Sequence, residues 1–184
     1  TKPDLIIANN VLAHVPEIHD FIEGLKIILN IKGVITIEVP HLLKLIKNTE
    51  FDTIYHEHYS YFSLKVLKEI FEKHSLTIFD VKEIPTHGGS LRIFIKHKTN
   101  QKLKITKNVE LLLNKEKKQG LQNIKTYENF EVQVNRVKKE LVNFLINAKK
   151  NKKKVIAYGA PAKGNTLLNF CETRNNLIEF TVDK

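Results

Sequence analysis

The feature that most constrains the fold is an alternation of short apolar runs with longer segments of helical periodicity. The runs "DLIIA" (4–8) and "VITIEVP" (34–40) have the length and composition of buried strands. Between them, apolar residues recur every three or four positions over 17–30, which predicts an amphipathic helix. Strands that alternate with helices in this way are typical of α/β proteins with a mainly parallel sheet.

The same pattern continues to residue 105. Ser63 is a suitable N-cap, so a helix is predicted over 64–74. The stretches "LTIFDVKEI" (76–84) and "LRIFIKHK" (91–98) predict two further strands, joined by a loop that contains two glycines. Because a short loop joins antiparallel neighbours, we expect an antiparallel edge on an otherwise parallel sheet.

The rest of the chain has a different organisation. Periodicity predicts helices over 107–118 and 127–150. The longer helix carries an apolar stripe that consists of Tyr127, Phe130, Val134, Val137, Leu141, Phe144 and Ala148. A strand, a glycine-containing turn, a helix and another strand follow over 154–184, which predicts a βαβ unit. We therefore divide the chain into domains at 1–105 and 106–184, with the helical segment at 106–154.

The formal net charge of +10 lies mainly in the predicted helices. Residues 106–154 carry 13 Lys/Arg against 5 Asp/Glu, a net +8. Nucleic-acid binding is one explanation, but Arg136 is the only arginine there and the lysines lie opposite the apolar stripe. We interpret the run as a solvated helix face, expect no nucleic-acid partner, and note that lysines attract anionic substrates.

The cysteine and methionine contents bear on the compartment of the protein and on the kinds of site that it can contain. A single cysteine, Cys171, excludes an internal disulfide framework and a multi-thiolate metal site. It fits a reducing, cytoplasmic compartment. No apolar run reaches the roughly 18 residues of a membrane span, so no membrane association is expected. The chain contains no methionine at all, and we expect it to be an internal piece of a longer protein.

Polar side chains follow both of the first predicted strands. Asn9, Asn10 and His14 come after the first strand, and Glu38 and His41 lie at the end of the second. In open α/β sheets, ligands bind beyond the carboxyl ends of strands. These residues are therefore candidates for a binding site, although a polar turn that caps the next helix would contain similar residues.

The stretch "YHEH" places Tyr55, His56, Glu57 and His58 in consecutive positions. A histidine flanked by a carboxylate and a phenol has the components of a general base with its orienting partners. No metal is expected, because the two imidazoles would point to opposite sides of an extended segment and no third ligand is evident. A hydrated loop remains the alternative explanation.

Two glycine-containing stretches add further candidates. Gly88 and Gly89 of "HGGSLR" permit unusual dihedral angles and a close approach of the backbone to a ligand, although a hairpin turn also explains them. The turn in "YGAPAKGNTLLN" opens a helix, which is an anion-binding geometry but also allows close helix–strand packing. The candidate side chains are His87, Ser90, Arg92, Tyr158, Lys163 and Asn165.

Taken together, these motifs resemble the S-adenosylmethionine (SAM)-dependent sugar C-methyltransferases of deoxysugar biosynthesis. The resemblance rests on three motifs that occur in the family's order, at 53–63, 87–92 and 158–169. It covers nearly the whole chain. Tyr59 departs from the motif, where an aliphatic residue is more usual.

The resemblance implies the C-terminal half of a Rossmann-like class I methyltransferase sheet, then a helical linker and a second βαβ, Rossmann-like domain. It implies SAM as the cofactor, with zinc confined to a separate N-terminal domain that this chain lacks. The Gly-rich SAM loop is absent as well. We therefore expect the chain alone to be inactive, and we assign the function to the complete protein.

The resemblance also implies a reaction, in which a carbon beside the C4 ketone of a nucleoside-diphosphate sugar loses a proton and receives a methyl group. His58 would be the base; Tyr55 and Glu57 would orient it or stabilise the enolate, and His56 would donate to the sugar. SAM would lie near Asn9, Asn10 and His14. The implied substrate contacts are Glu38, His41, His87, Ser90, Arg92, Tyr158, Lys163 and Asn165.

Two other functions remain open at this stage. An O- or N-methyltransferase of the same fold is one, although an oxygen nucleophile needs less of the base and oxyanion machinery. A non-catalytic module that binds a nucleotide sugar is the other. Dinucleotide binding by "YGAPAKG" is a weaker third possibility, and the sequence does not indicate the oligomeric state.

Overall fold

The computed structural model describes residues 1–173 and 177–184. They form two compact units. The first unit comprises Thr1–Asn48 and Glu57–Ile124, and the second comprises Thr49–His56 and Lys125–Lys184. The chain thus enters the second unit briefly before it returns to the first. The domain division predicted at residue 105 stays a prediction.

The first unit contains a mixed four-stranded sheet. Its strands are β1 (Leu5–Asn9), β2 (Val34–Pro40), β3 (Leu76–Ile84) and β4 (Ser90–His97), in the order β1-β2-β4-β3. β1 and β2 are parallel, and β4 is antiparallel to both β2 and β3. The predicted antiparallel pairing is confirmed, but the antiparallel strand lies inside the sheet. β4 turns back along β3 and pairs with β2 on its other side, which leaves β3 outermost.

Four helices accompany this sheet. They are α1 (Ile18–Ile28), α2 (Leu42–Lys47), α3 (Leu64–Lys73) and α4 (Lys107–Lys118). The predicted bounds of α1, α3 and α4 are close to these. The Ser63 hydroxyl accepts a hydrogen bond from the backbone N–H of Val66 at 3.3 Å, which confirms the predicted N-cap of α3. α4 packs against α3 and β3, within the first unit.

Alternation along the strands builds the core. Every second residue of β2 and β4 points to one face of the sheet, where α1 and α3 cover it. The fully buried members are Ile35, Ile37 and Val39 of β2, Leu91, Ile93 and Ile95 of β4, and Leu64, Leu67 and Phe71 from α3. This apolar layer fixes the strand register, because a slip of one residue would turn each of these side chains to the other face.

Gly89 is required by its surroundings. Its φ of +132° is a conformation that L side chains rarely adopt, and an added Cβ would lie 2.6 Å from Cγ of Lys44. The group that lies close to the backbone of Gly89 is therefore the Lys44 side chain. A substitution here would displace the loop that begins β4.

Asp80 links β3 to the start of α4. One of its carboxylate oxygens, Oδ1, accepts hydrogen bonds from the Thr106 hydroxyl at 2.6 Å, the Asn108 amide at 2.9 Å and the backbone N–H of Val81 at 2.9 Å. Desolvation raises the pKa of this carboxyl, but the three hydrogen bonds outweigh it and leave the pKa of Asp80 below its ordinary value. The folded protein therefore favours the ionised form.

Acid is expected to weaken this link. A carboxyl whose pKa is lowered by folding stabilises the protein above its unfolded pKa of about 4, and this contribution is lost as the pH falls through the folded pKa. We expect Asp80→Asn to lose stability at neutral pH and to show a smaller further loss between neutral and acidic pH than the wild type. Urea unfolding at a series of pH values measures this, and parallel pH profiles for the two proteins would contradict it.

The second unit contains most of α5 (Ile124–Lys150), then β5 (Ala157–Tyr158), α6 (Ala162–Phe170) and β6 (Thr181–Val182). β5 and β6 pair in parallel, so the predicted strand–helix–strand order is present. The strands are much shorter than predicted, with two residues each. A second Rossmann-like domain is not confirmed by so small a sheet. Residues 174–176 of the predicted βαβ unit lie outside the described residues.

The apolar stripe predicted on α5 is only partly buried. Within the stripe, Val134 is buried, whereas Phe144 is 63% exposed. The neighbouring Leu145, which is not part of the predicted stripe, is buried. α6 has 9 residues against 27 in α5, so it can cover only part of the longer helix. Phe170 of α6 and Val134 of α5 line the same cavity. None of the helices within residues 1–173 and 177–184 has both the length and the apolarity to cross a bilayer.

Candidate active site

The carboxyl ends of β1 and β2 lie at one edge of the sheet. Because these strands are parallel and in register, Asn9 lies opposite Glu38. On the other side of β2, Glu38 lies opposite Arg92 near the start of β4. The loop after β1 and the loop between β3 and β4 therefore meet at this edge, as the sequence predicts.

Two residues in left-handed conformations meet across the edge. Asn10 has φ of 55° and His87 has φ of 53°, and both are non-glycine residues. The Asn10 side-chain nitrogen lies 3.4 Å from Nε2 of His87. The backbone N–H of Asn10 donates to the Glu38 carbonyl at 2.9 Å, which holds the loop against β2. The structure thus joins two of the predicted site residues that are 77 positions apart.

The Glu38 carboxylate is buried and has two side-chain partners. Oε1 accepts from the Thr86 hydroxyl at 2.8 Å, and Oε2 accepts from Nη2 of Arg92 at 3.0 Å. The Ser90 hydroxyl donates to the Thr86 carbonyl at 3.0 Å. Thr86 was not among the predicted residues, and its position beside the "HGGSLR" motif was the only signal for it. Glu38, Arg92 and Ser90 thus hold the loop together.

A second group consists of His14, His58 and Tyr61. The backbone carbonyl of Glu57 can only accept, so Nδ1 of His14 donates to it, at 2.9 Å. In neutral His14 the lone pair is therefore on Nε2. The His14 and His58 rings meet edge-on with centroids 4.8 Å apart, and the centroid of the Tyr61 ring lies 5.9 Å from that of His58. His58 is half-buried.

The "YHEH" stretch crosses the boundary between the two units. Glu57 and His58 belong to the first unit, whereas Tyr55 and His56 belong to the second. Within the second unit, the Tyr55 and His56 rings lie 6.1 Å apart. The predicted grouping of all four side chains stays a prediction. Among residues 1–173 and 177–184, no three His, Cys, Asp or Glu side chains are grouped as metal ligands.

His41 occupies a buried position away from solvent. Its Nε2 lies 2.9 Å from a Glu116 oxygen, and both side chains are almost fully inaccessible. The same carboxylate accepts the backbone N–H groups of Leu64 at 2.6 Å and Lys65 at 3.2 Å, at the start of α3. The sequence does contain a signal for Glu116, since it continues the buried stripe of Val109 and Leu112 on α4. The sugar contact predicted for His41 stays untested, and its observed partner is Glu116.

The candidates in the second unit lie around the turn between β5 and α6. Tyr158 ends β5 and is 76% exposed, and Gly159 follows with φ of +87°. The backbone N–H of Gly159 donates to the Val182 carbonyl at 2.7 Å. Lys163 and Asn165 lie in the first turn of α6. The roles predicted for these three side chains remain untested.

Chemically, the edge of the first unit offers a base and several donors. His58 has a polar and aromatic environment, and His14 is held in one tautomer when neutral. Asn10, His87 and Arg92 supply N–H groups along the same edge. This combination suits removal of a proton from a substrate whose product is stabilised by hydrogen bonds.

The α/β fold with its mixed sheet agrees with the families that the chain matches. Residues 1–81 match the model of a methyltransferase domain. Residues 85–184 match the model described as the C-methyltransferase C-terminal domain, which is more than half of the chain. The chain belongs to the C-methyltransferase family. The family that the three motifs resemble is therefore confirmed.

Individual relatives are similar over different lengths. The chain is 36% identical over 179 residues to C-methyltransferase NovU of Streptomyces niveus, which covers 97% of this chain and 42% of that protein. The chain therefore spans less than half of this relative. Among solved structures, magnesium protoporphyrin IX methyltransferase from Synechocystis with bound SAH gives a TM-score of 0.42 at 17% identity, over 52% of this chain and 45% of that one. LepI in complex with SAM gives 0.44 at 10% identity, over 53% and 27%.

Proposed function

We propose that the complete protein transfers a methyl group from SAM to a carbon beside the C4 ketone of a nucleoside-diphosphate-linked deoxysugar. A carbon of this kind becomes a nucleophile only after it loses a proton, and the ketone makes that proton acidic. The protein must therefore supply a base for the proton and donors for the enolate oxygen. Family membership and the edge of the first unit support this reaction.

The single observation that carries the proposal is the environment of His58. Its ring contacts His14, and the Glu57 carbonyl fixes the tautomer of neutral His14. A histidine held in this way at the ligand-binding edge of an α/β sheet suits a general base. Glu57 and Tyr55 orient the base or stabilise the enolate, and His56 donates to the sugar.

SAM, when bound, supplies the electrophilic methyl group. The proposal that this chain binds one side of that cofactor is supported by Asn9 and Asn10, which lie at the carboxyl end of β1, where such sheets bind ligands. Asn10 is held in its conformation by the Glu38 carbonyl. In the proposal, Asn9, Asn10 and His14 lie beside the methionine portion of SAM.

Each unit carries proposed substrate contacts of its own. His87, Ser90 and Arg92 are the proposed contacts to the sugar or diphosphate, and Glu38 and His41 stay with them as lining residues. Tyr158, Lys163 and Asn165 are proposed to bind the nucleotide. Support for the latter comes from the parallel pairing of β5 and β6 around α6, from which we also propose a second Rossmann-like domain.

The experiment uses the complete protein, a nucleoside-diphosphate 4-keto-deoxysugar and SAM labelled with ¹³C in its methyl group. We expect the labelled methyl group to be attached to the carbon next to the ketone, as ¹³C NMR of the product would show. A label on oxygen or nitrogen would favour the other methyltransferase classes. Binding of the nucleotide sugar with no methyl transfer would favour a binding module, and both outcomes contradict the proposal.

A further inference from the structure

Glu38 stabilises both loops that carry the contact between Asn10 and His87, one loop through its backbone carbonyl and the other through its side chain. Its carbonyl accepts from the N–H of Asn10 at 2.9 Å. Its side chain accepts from the hydroxyl of Thr86, the residue before His87, at 2.8 Å. Asn10 and His87 then meet at 3.4 Å. A single buried residue of β2 thus holds both of the loops on which this pair lies.

Both members of the pair have strained backbones. Asn10 and His87 have φ of 55° and 53°, in the left-handed region. Such conformations persist only where the surroundings determine them, and they concentrate at functional sites. At His87 the surroundings are Thr86, held by Glu38 and by the Ser90 hydroxyl, and the two glycines that follow.

The direction of the hydrogen bond between Asn10 and His87 determines which ring nitrogen of His87 carries the proton. The amide nitrogen of Asn10 can only donate, so Nε2 of His87 accepts. A neutral imidazole that accepts at Nε2 carries its proton on Nδ1. His87 is exposed, so the Nδ1–H group is available as a donor to an oxygen of a ligand.

We propose that Glu38 and Thr86 are positioning residues that hold His87 as an Nδ1–H donor to the nucleotide-linked sugar. This inference rests on the proposed function for the identity of the ligand. In this role, Glu38 and Thr86 act through His87. Nη2 of Arg92 donates to the other oxygen of the Glu38 carboxylate at 3.0 Å, so Arg92 and Thr86 hold this side chain from two directions.

Removal of one hydroxyl group tests the proposal. Thr86→Val keeps the shape of the side chain and loses the hydrogen bond to Glu38. We expect the KM for the nucleotide sugar to rise about three- to tenfold, which corresponds to the loss of one hydrogen bond. The kcat and the KM for SAM should stay unchanged. Thr86→Ser should restore the wild-type KM. Thr77→Val, at the opposite end of β3, is the matched control and should leave all three constants unchanged.

A second measurement separates this inference from the proposed function. ¹⁵N NMR of the histidine rings in the complete protein should show Nε2 of His87 unprotonated in the wild type. Thr86→Val should give a mixture of tautomers. If the tautomer is the same in both proteins, or if Thr86→Val leaves the KM for the sugar unchanged, the positioning role is wrong. If no variant methylates a sugar while the NMR result holds, the proposed function fails and the positioning of His87 stands.

Discussion

Replacement of His58 by alanine is expected to lower methyl transfer by the complete protein by about 10²- to 10⁴-fold. The physical reason is that the carbon nucleophile exists only after its proton is removed, and water is a weak substitute for a positioned imidazole. Binding of the nucleotide sugar should be retained, because the proposed binding contacts lie elsewhere. Rapid-quench measurement of the methylated product gives the rate, and equilibrium dialysis gives the binding.

The control for this variant is His19→Ala. His19 lies on α1, where it is exposed and contacts His74 at 2.9 Å, so it shares the residue type with His58 and lies outside the proposed site. This control should retain the wild-type rate. If His58→Ala also turns over near the wild-type rate, His58 is not the base, and a group other than this imidazole removes the proton.

Replacement of Glu116 by alanine is expected to lower the free energy of unfolding by about 3–5 kcal/mol, because three hydrogen bonds lose their acceptor and each buried donor left unsatisfied costs about 1–3 kcal/mol. The Glu116 side chain is 2% exposed and pairs with His41. It also accepts the backbone N–H groups of Leu64 and Lys65. Its loss would leave an imidazole and two helix-terminal N–H groups without their acceptor in the core, and it would free α3 from α4.

Urea unfolding followed by circular dichroism measures this change. Glu69→Ala is the matched control. Glu69 is a glutamate on α3 in the first unit and pairs with Lys65 one turn away, but its side chain is exposed. Exposed pairs of this kind contribute little, so the control should unfold near the wild-type urea midpoint. A shift of the midpoint in Glu116→Ala that is no larger than in Glu69→Ala would contradict the structural role of the buried pair.

Local chemistry explains why much of the first unit could be predicted. The helix at Lys107–Lys118 has its predicted bounds, since its apolar stripe has a helical period and a glycine follows at position 120. The Ser63 N-cap was evident for the same reason, because capping involves a residue and its near neighbours. Polar residues after β1 and β2 could be assigned to one edge, because parallel strands end on the same side.

Contacts between distant parts of the chain could not be predicted. Glu116 and His41 are 75 positions apart, and periodicity indicates burial of a side chain but not its partner. The insertion of β4 between β2 and β3 is likewise a matter of long-range pairing. In the second unit, the apolar run over 177–183 predicts a longer strand than Thr181–Val182, because strand length depends on a neighbouring strand that is equally short.

The central claim, that the protein removes a proton from carbon before methyl transfer, is tested most directly by hydrogen exchange. The complete protein is incubated in D₂O with a nucleoside-diphosphate 4-keto-deoxysugar in the absence of SAM, and the sugar is recovered for mass spectrometry and NMR. We expect one deuterium at the carbon beside the ketone, and the same experiment with His58→Ala should show exchange no faster than the buffer. An absence of enzyme-dependent exchange across several ketosugars, in a protein that binds them, would contradict the claim.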